Sequence, residues 1–172
     1  MLVVLWLVLK LASLTVAVLK FLNGDETALS RYFDRSRERR GFQALTEGLM
    51  ALASGEGRLA MDKARRAERL LRRPELTNLI TAQAAEITGD KRKAEEVYKK
   101  LLKDDSTRFV GVRGLMKQKL ADGNTDTALK LAETAFALKP RHVETSDILL
   151  KLQAESEDWK GARNTLNAKL KS

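Results

Sequence analysis

His142 is the only histidine of the chain, and cysteine is absent. Thiolate zinc sites, iron–sulfur clusters, cysteine nucleophiles and disulfides are therefore excluded, and so are metal sites built from several histidines. A single imidazole can still serve as an axial haem ligand. His142 follows Pro140 at the start of a predicted helix, so a haem ligand and an ordinary loop histidine both stay open. We predict a protein that is not an enzyme, with no catalytic residue, cofactor or metal.

Arginine is concentrated in the first half of the chain, where its guanidinium groups could bind phosphates. The membrane-proximal set consists of Arg31, Arg35, Arg37, Arg39 and Arg40. A second basic stretch covers residues 58–73. Anionic lipid headgroups attract such clusters, and a solvated helical linker is the alternative for the membrane-proximal set. RNA is a weaker candidate, because aromatic residues for base stacking make up only 5% of the chain.

Residues 1–22, MLVVLWLVLKLASLTVAVLKFL, carry two lysines and no other charge. A helix that rises about 1.5 Å per residue crosses a hydrocarbon core of about 30 Å with this length. Lys10 costs about 2.5–3.5 kcal/mol near the centre, and the many leucines and valines outweigh it. No small-x-small cleavage site follows, which disfavours a signal peptide. We predict a transmembrane helix, with the arginine-rich end in the cytoplasm by the positive-inside rule.

Small residues recur at a fixed spacing of 34 through the rest of the chain. The alanines are Ala60, Ala94, Ala128 and Ala162, and the glycines five positions before the first three are Gly55, Gly89 and Gly123. A period of this length is typical of stacked helical repeats. We predict helix pairs over 41–54 and 57–72, 75–88 and 91–103, 108–121 and 125–138, and 142–155 and 159–170. The alanines would lie where two paired helices approach closely.

The pattern resembles the tetratricopeptide repeat (TPR). Gly48 and Ala82 match the small residue of that family's first helix, Tyr98 its aromatic residue and Pro140 its final proline. The resemblance implies an all-α, TPR-like α-solenoid of about four helix-turn-helix repeats behind the transmembrane helix. We predict a basic juxtamembrane linker helix over 23–40 and a TPR-like domain over 41–172. Its repeats would cover about 41–74, 75–108, 109–142 and 143–172.

In a TPR array the first helix of each repeat lines a concave groove that binds a peptide or helix. The predicted groove residues are Phe42, Leu45, Leu49, Leu79, Gln83, Glu86, Arg113, Lys117, Asp147 and Lys151. The first repeat is apolar and the later ones carry mixed charges, which suits an amphipathic protein segment. A solvated helix face is the alternative for Arg113 and Lys117. Trp159 is expected to pack between helices.

A more specific resemblance covers nearly the whole chain. The apolar segment, the arginine-rich exit and RRGFQALTEGLMALASGE resemble the start of the bacterial HemY family, and ELTNLITAQAAEITGDKRKAEEVYKKLL resembles a following repeat. The resemblance implies a membrane-anchored TPR protein of the bacterial inner membrane, with its TPR domain in the cytoplasm, linked to late haem or tetrapyrrole biosynthesis. That family usually has two membrane segments and a longer C-terminal part. We therefore expect a fragment or a short variant of a longer protein.

Three functions follow from these patterns. The first is a membrane-tethered scaffold that holds protein partners on the TPR groove, by resemblance those of haem biosynthesis. The second is a protein that binds or handles tetrapyrroles through His142. The third is a nucleic-acid adaptor, which the membrane anchor disfavours.

Overall fold

The computed structural model describes residue 6, residues 10–16 and residues 28–170. Within these residues all regular secondary structure is helical, including residues 6 and 10–16. The eight longer helices are α1 (Ala28–Ala53), α2 (Gly57–Leu71), α3 (Pro74–Ile87), α4 (Lys91–Leu101), α5 (Asp105–Ala121), α6 (Thr125–Leu138), α7 (Val143–Glu155) and α8 (Trp159–Leu170). Contacts divide the chain into two compact units, residues 1–39 and residues 40–172.

The helices agree with the predicted pairs to within about three residues from α2 onward. The difference lies in α1 (Ala28–Ala53), in which the described part of the predicted linker helix over 23–40 continues without a break into the predicted repeat helix over 41–54. Residues 28–40 contain neither proline nor glycine, so nothing in the sequence ends the helix there. The predicted transmembrane helix at 1–22 lies mostly outside the described residues and stays a prediction. Among the residues that are described, no helix has the length and apolarity to cross a bilayer.

Glycine ends three of the helices. Gly55, Gly89 and Gly123 have φ values of +76°, +75° and +74°, a left-handed conformation that costs glycine nothing. After α3, Asp90 N–H donates to the Ala85 carbonyl at 2.8 Å, which closes the helix end. In the fourth repeat Glu157 adopts φ +60° at the same position. A side chain there costs about 1–2 kcal/mol, yet the turn keeps its geometry.

Alanine forms the centre of the core. Ala60, Ala94 and Ala128 are fully buried, as expected for positions where neighbouring helices approach closely. From α2 to α8 the substantial helix contacts join helices that are consecutive in the chain. The apolar clusters follow the same order, since the buried residues of each come from two or three successive helices. The described part of residues 40–172 is therefore all-α with repeat-like packing, in which each helix depends mainly on its neighbours.

Trp159 was expected in the core, and that prediction is wrong. Its side chain is 66% exposed at the start of α8. The 34-residue register places it with Gly57, which is buried, and with Lys91 and Thr125, which are exposed at the starts of α4 and α6. This register position is therefore not a regular core position.

Candidate partner-binding face

The predicted groove residues lie on α1, α3, α5 and α7, and we call this set of side chains the odd-helix face. Each of them is exposed or half-buried, and Leu45 also packs against an apolar core cluster. Exposed members are Phe42, Leu49, Gln83, Glu86, Lys117, Asp147 and Lys151, and half-buried members are Leu45, Leu79 and Arg113. The side chains on this face are therefore accessible to a ligand.

The α1 part of the odd-helix face is apolar. Phe42, Leu45 and Leu49 recur at spacings of three and four, which puts them on one side of the helix. Phe42 is 40% exposed and Leu49 is 49% exposed, although both are large apolar side chains. Leu45 packs partly against the apolar cluster of α1, α2 and α3, whereas Phe42 and Leu49 belong to no core cluster of the described residues.

A tyrosine lies under the middle of the face. Tyr98 of α4 is almost fully buried, and the Glu86 carboxylate of α3 lies near its hydroxyl. Burial raises the pKa of Tyr98 well above its ordinary value, and the Glu86 carboxylate raises that pKa further. The hydroxyl therefore remains a hydrogen-bond donor at any physiological pH.

An ion-pair cluster lies between α5 and α7. The Glu144 carboxylate accepts a hydrogen bond from Arg113 Nε at 2.7 Å and lies 2.5 Å from Lys117 Nζ. The hydrogen bond from Lys117 lowers the pKa of Glu144 most, burial opposes this, and Arg113 lowers the pKa further. Arg113 and Lys117 are thus held by a carboxylate of the next repeat and are not simply solvated. The sequence reasoning missed Glu144, because no period relates a residue to a partner 31 positions away.

The pH dependence of this cluster can be measured. A carboxylate whose pKa is lower in the folded state stabilises the fold above its unfolded pKa, and that contribution is lost as the pH falls through the folded pKa. Between pH 7 and pH 3, we expect the wild type to lose about 0.5–1 kcal/mol more of its unfolding free energy than Glu144→Gln does. Urea denaturation at both pH values checks this. The control is Glu133→Gln, since Glu133 is exposed and forms no ion pair within the described residues. If Glu144→Gln loses as much unfolding free energy between pH 7 and pH 3 as the wild type does, the expectation is wrong.

The remaining charged residues of the face also have partners. Asp147 forms an ion pair with Lys169 of α8, and Lys151 lies 3.8 Å from Glu155 in its own helix. In the arginine-rich segment Arg35, Arg39 and Arg40 are exposed and Arg37 is half-buried, whereas the side chain of Arg31 lies outside the description. The described residues contain no group of three or more histidines or carboxylates that could hold a metal ion.

His142 caps α7. Its Nδ1 accepts a hydrogen bond from Thr145 N–H at 3.3 Å, and its ring meets the Phe109 ring edge-on, with the centroids 4.9 Å apart. A ring nitrogen that accepts from a backbone N–H carries no proton, so the proton of the neutral ring is on Nε2. Haem iron would need a free lone pair on one of these nitrogens. The cap therefore competes with iron ligation, and the geometry gives the haem interpretation no support.

A protein-family model described as "HemY protein N-terminus" matches residues 1–89. This match includes the apolar segment, the arginine-rich stretch and the helices α1 to α3. No curated protein matches the chain.

Proposed function

The chain belongs to the HemY family, and from that premise we propose that it is a membrane-tethered, TPR-like scaffold that holds a protein partner on the odd-helix face. The family associates the chain with haem biosynthesis. The apolar residues 1–22 and the arginines that follow support the tether, since this combination is typical of a membrane anchor with a basic flank. The 34-residue period and the repeat-like packing of α2 to α8 support the TPR-like arrangement.

The observation that carries the partner-binding role is the exposed leucine stripe of α1. Phe42 and Leu49 expose apolar surface that the core does not use, and such surface is favourable to bury against a partner. The charged part of the odd-helix face on α5 contributes differently, because the Glu144 carboxylate already neutralises much of the positive charge of Arg113 and Lys117. Apolar contacts would therefore supply most of the affinity, and the charged residues would select the partner and its orientation. An amphipathic helix with one apolar end fits this distribution.

Replacing Leu49 by glutamate tests the proposal. We expect crosslinking in membranes, followed by purification and mass spectrometry, to enrich a defined set of inner-membrane or haem-pathway proteins with the wild type. In Leu49→Glu this enrichment should fall about tenfold or more, because a buried charge at the centre of an interface costs about 2 kcal/mol or more.

The matched control is Leu59→Glu. Leu59 lies on α2 and is 42% exposed, so the same change introduces the same charge away from the odd-helix face. This variant should retain the partner. The proposal fails if the wild type enriches no specific protein, or if both variants retain the partner equally.

A further inference from the structure

Helix α2 has a basic outer side. Its exposed arginines lie within about 100° of one another around the helix axis, and they are Arg58, Arg65, Arg66 and Arg69. The buried residues of α2 lie on the opposite side and are Gly57, Ala60, Ala64 and Ala67. Leu59 is 42% exposed at the margin of the arginines, beside Arg66. We call the four arginines and Leu59 the basic face of α2.

The packing of the repeats does not require this charge. The register positions of the four arginines on α4 hold Arg92, Lys99, Lys100 and Lys103, and those on α6 hold Asp126, Glu133, Thr134 and Ala137. Helix α6 packs against its neighbours as α2 does, although it has no basic residue at any of these positions. The arginines of α2 are therefore a local feature and not a consequence of the repeat.

Much of the positive charge on α2 is not neutralised by its own helix. On α4, the lysines at the register positions of Arg65 and Arg66 each lie 2.8 Å from a glutamate of the same helix. On α2 the one acidic residue on the outer side, Asp62, forms an ion pair with Arg65 at 3.2 Å. Arg58 and Arg66 form no ion pair within the described residues. Their charges are therefore available to a ligand.

The residue types indicate a ligand with phosphate groups. A guanidinium group donates two parallel hydrogen bonds to phosphate oxygens, whereas lysine acts as a single point charge. A lipid surface presents many phosphates side by side, and an exposed leucine such as Leu59 can enter its headgroup region. Single-stranded nucleic acid is bound through aromatic side chains that stack on bases, and α2 contains none. The basic face thus fits an anionic lipid surface better than RNA.

The basic face is on the helix beside which the chain enters the second compact unit, residues 40–172. An added Cβ at Gly41 would lie 2.6 Å from the Leu71 side chain, so α1 meets the C-terminal end of α2 at this point. The residues that precede Gly41 lead back to the proposed tether. The unit would therefore be attached to a membrane next to the end of α2 that carries Arg69.

We propose that the basic face of α2 binds the anionic lipid headgroups of the membrane that holds the tether. This proposal rests on the tether of the proposed function and not on the partner-binding role of the odd-helix face. Each basic residue that reaches an anionic surface strengthens binding about fivefold. The arginines together would hold the unit against an anionic bilayer and leave it free of a neutral one.

A fluorophore on the basic face tests the contact. The chain has no cysteine, so one introduced cysteine can carry bimane. Leu59→Cys places the label on the basic face, and Thr134→Cys places it on α6 at an exposed register position of Arg66. The full chain is incorporated into phosphatidylcholine nanodiscs, with or without phosphatidylglycerol, whose lipids carry a nitroxide quencher on the headgroup. Phosphatidylglycerol should increase the quenching of the Leu59→Cys label about threefold or more, and that of the Thr134→Cys label little.

Charge reversals locate the contact. Arg58→Glu with Arg66→Glu should remove the increase that phosphatidylglycerol causes. The matched control is Arg92→Glu with Lys100→Glu, which makes the same change of charge at the same register positions of α4 and should keep most of the increase. Equal losses in the two variants would show that net charge and not the basic face is responsible, and would overturn the proposal. A label on Leu59→Cys that phosphatidylglycerol leaves unquenched would also overturn it.

Two further measurements separate the tether and the competing ligand. A chain that co-elutes with neutral nanodiscs but shows no quenching in anionic ones contradicts the basic face and keeps the tether, and a chain that co-elutes with neither contradicts both. Co-elution with anionic nanodiscs alone, lost in Arg58→Glu with Arg66→Glu, contradicts the tether and supports the face. Single-stranded RNA at the phosphate concentration of the lipid should leave the quenching in place. If RNA removes it, the face binds nucleic acid and the proposal is wrong.

Discussion

Replacing Gly114 by alanine should lower the free energy of unfolding by about 2–3 kcal/mol, although alanine is the better helix former. A Cβ at this position would lie 2.3–2.5 Å from three ring atoms of Tyr98, closer than van der Waals contact permits. The ring has little room to move, because Tyr98 is 3% exposed and lies in the apolar cluster of α3, α4 and α5. Overpacking of this kind costs about 1–3 kcal/mol or more and exceeds the gain of about 0.5–1 kcal/mol in helix propensity. Urea denaturation measures the change.

Gly48→Ala is the matched control, since Gly48 of α1, like Gly114 of α5, lies inside the first helix of a repeat. Its nearest neighbour to an added Cβ is Lys63 Cβ at 3.4 Å, an ordinary contact. This variant should be neutral or gain up to about 1 kcal/mol. In a Tyr98→Ala background, Gly114→Ala should cost less than about 0.5 kcal/mol, because the clash has been removed. An equal cost in both backgrounds would show that Tyr98 is not the cause.

The helices could be predicted because their signals are local. The glycines every 34 residues mark turns that require φ near +75°, and the alanines mark close helix contacts, so both the number of helices from α2 onward and their bounds follow from the spacing. The start of α1 could not be placed in this way. Residues 28–40 contain no helix-breaking proline or glycine and no small residue of the 34-residue period. Only the start of the repeat pattern suggested a boundary at residue 41.

The surface was harder to predict than the helices. The register identified side chains on the odd-helix face, and their exposure is consistent with that placement, but what they contact depends on helix packing that no spacing encodes. Glu144 joins Arg113 and Lys117 through the packing of α7 beside α5. The prediction for Trp159 failed because its register position is not a regular core position: Gly57 is buried there, whereas Lys91 and Thr125 are exposed.

Replacing Ile80 by alanine should lower the free energy of unfolding by about 2–4 kcal/mol. Ile80 is 1% exposed and fills the space beside Ala60 and Ala64 in the cluster that joins α2 and α3. Removing its side chain leaves a cavity that the neighbouring alanines are too small to fill. Ala64→Leu alone should cost about 1–3 kcal/mol, because Ala64 is fully buried and Ile80 leaves no room for a larger side chain.

The double variant tests whether size is shared across the contact. Ile80→Ala with Ala64→Leu gives α2 and α3 the arrangement that Tyr98 and Gly114 have in the next repeat, with the large residue on the earlier helix. We expect it to recover about half of the summed loss, as a non-additive coupling in urea denaturation. Ile80→Ala combined with Leu149→Ala in the cluster of α6 and α7 is the control, and these distant changes should add. If the effects of Ile80→Ala and Ala64→Leu also add, the alternation of large and small residues between neighbouring helices is incidental.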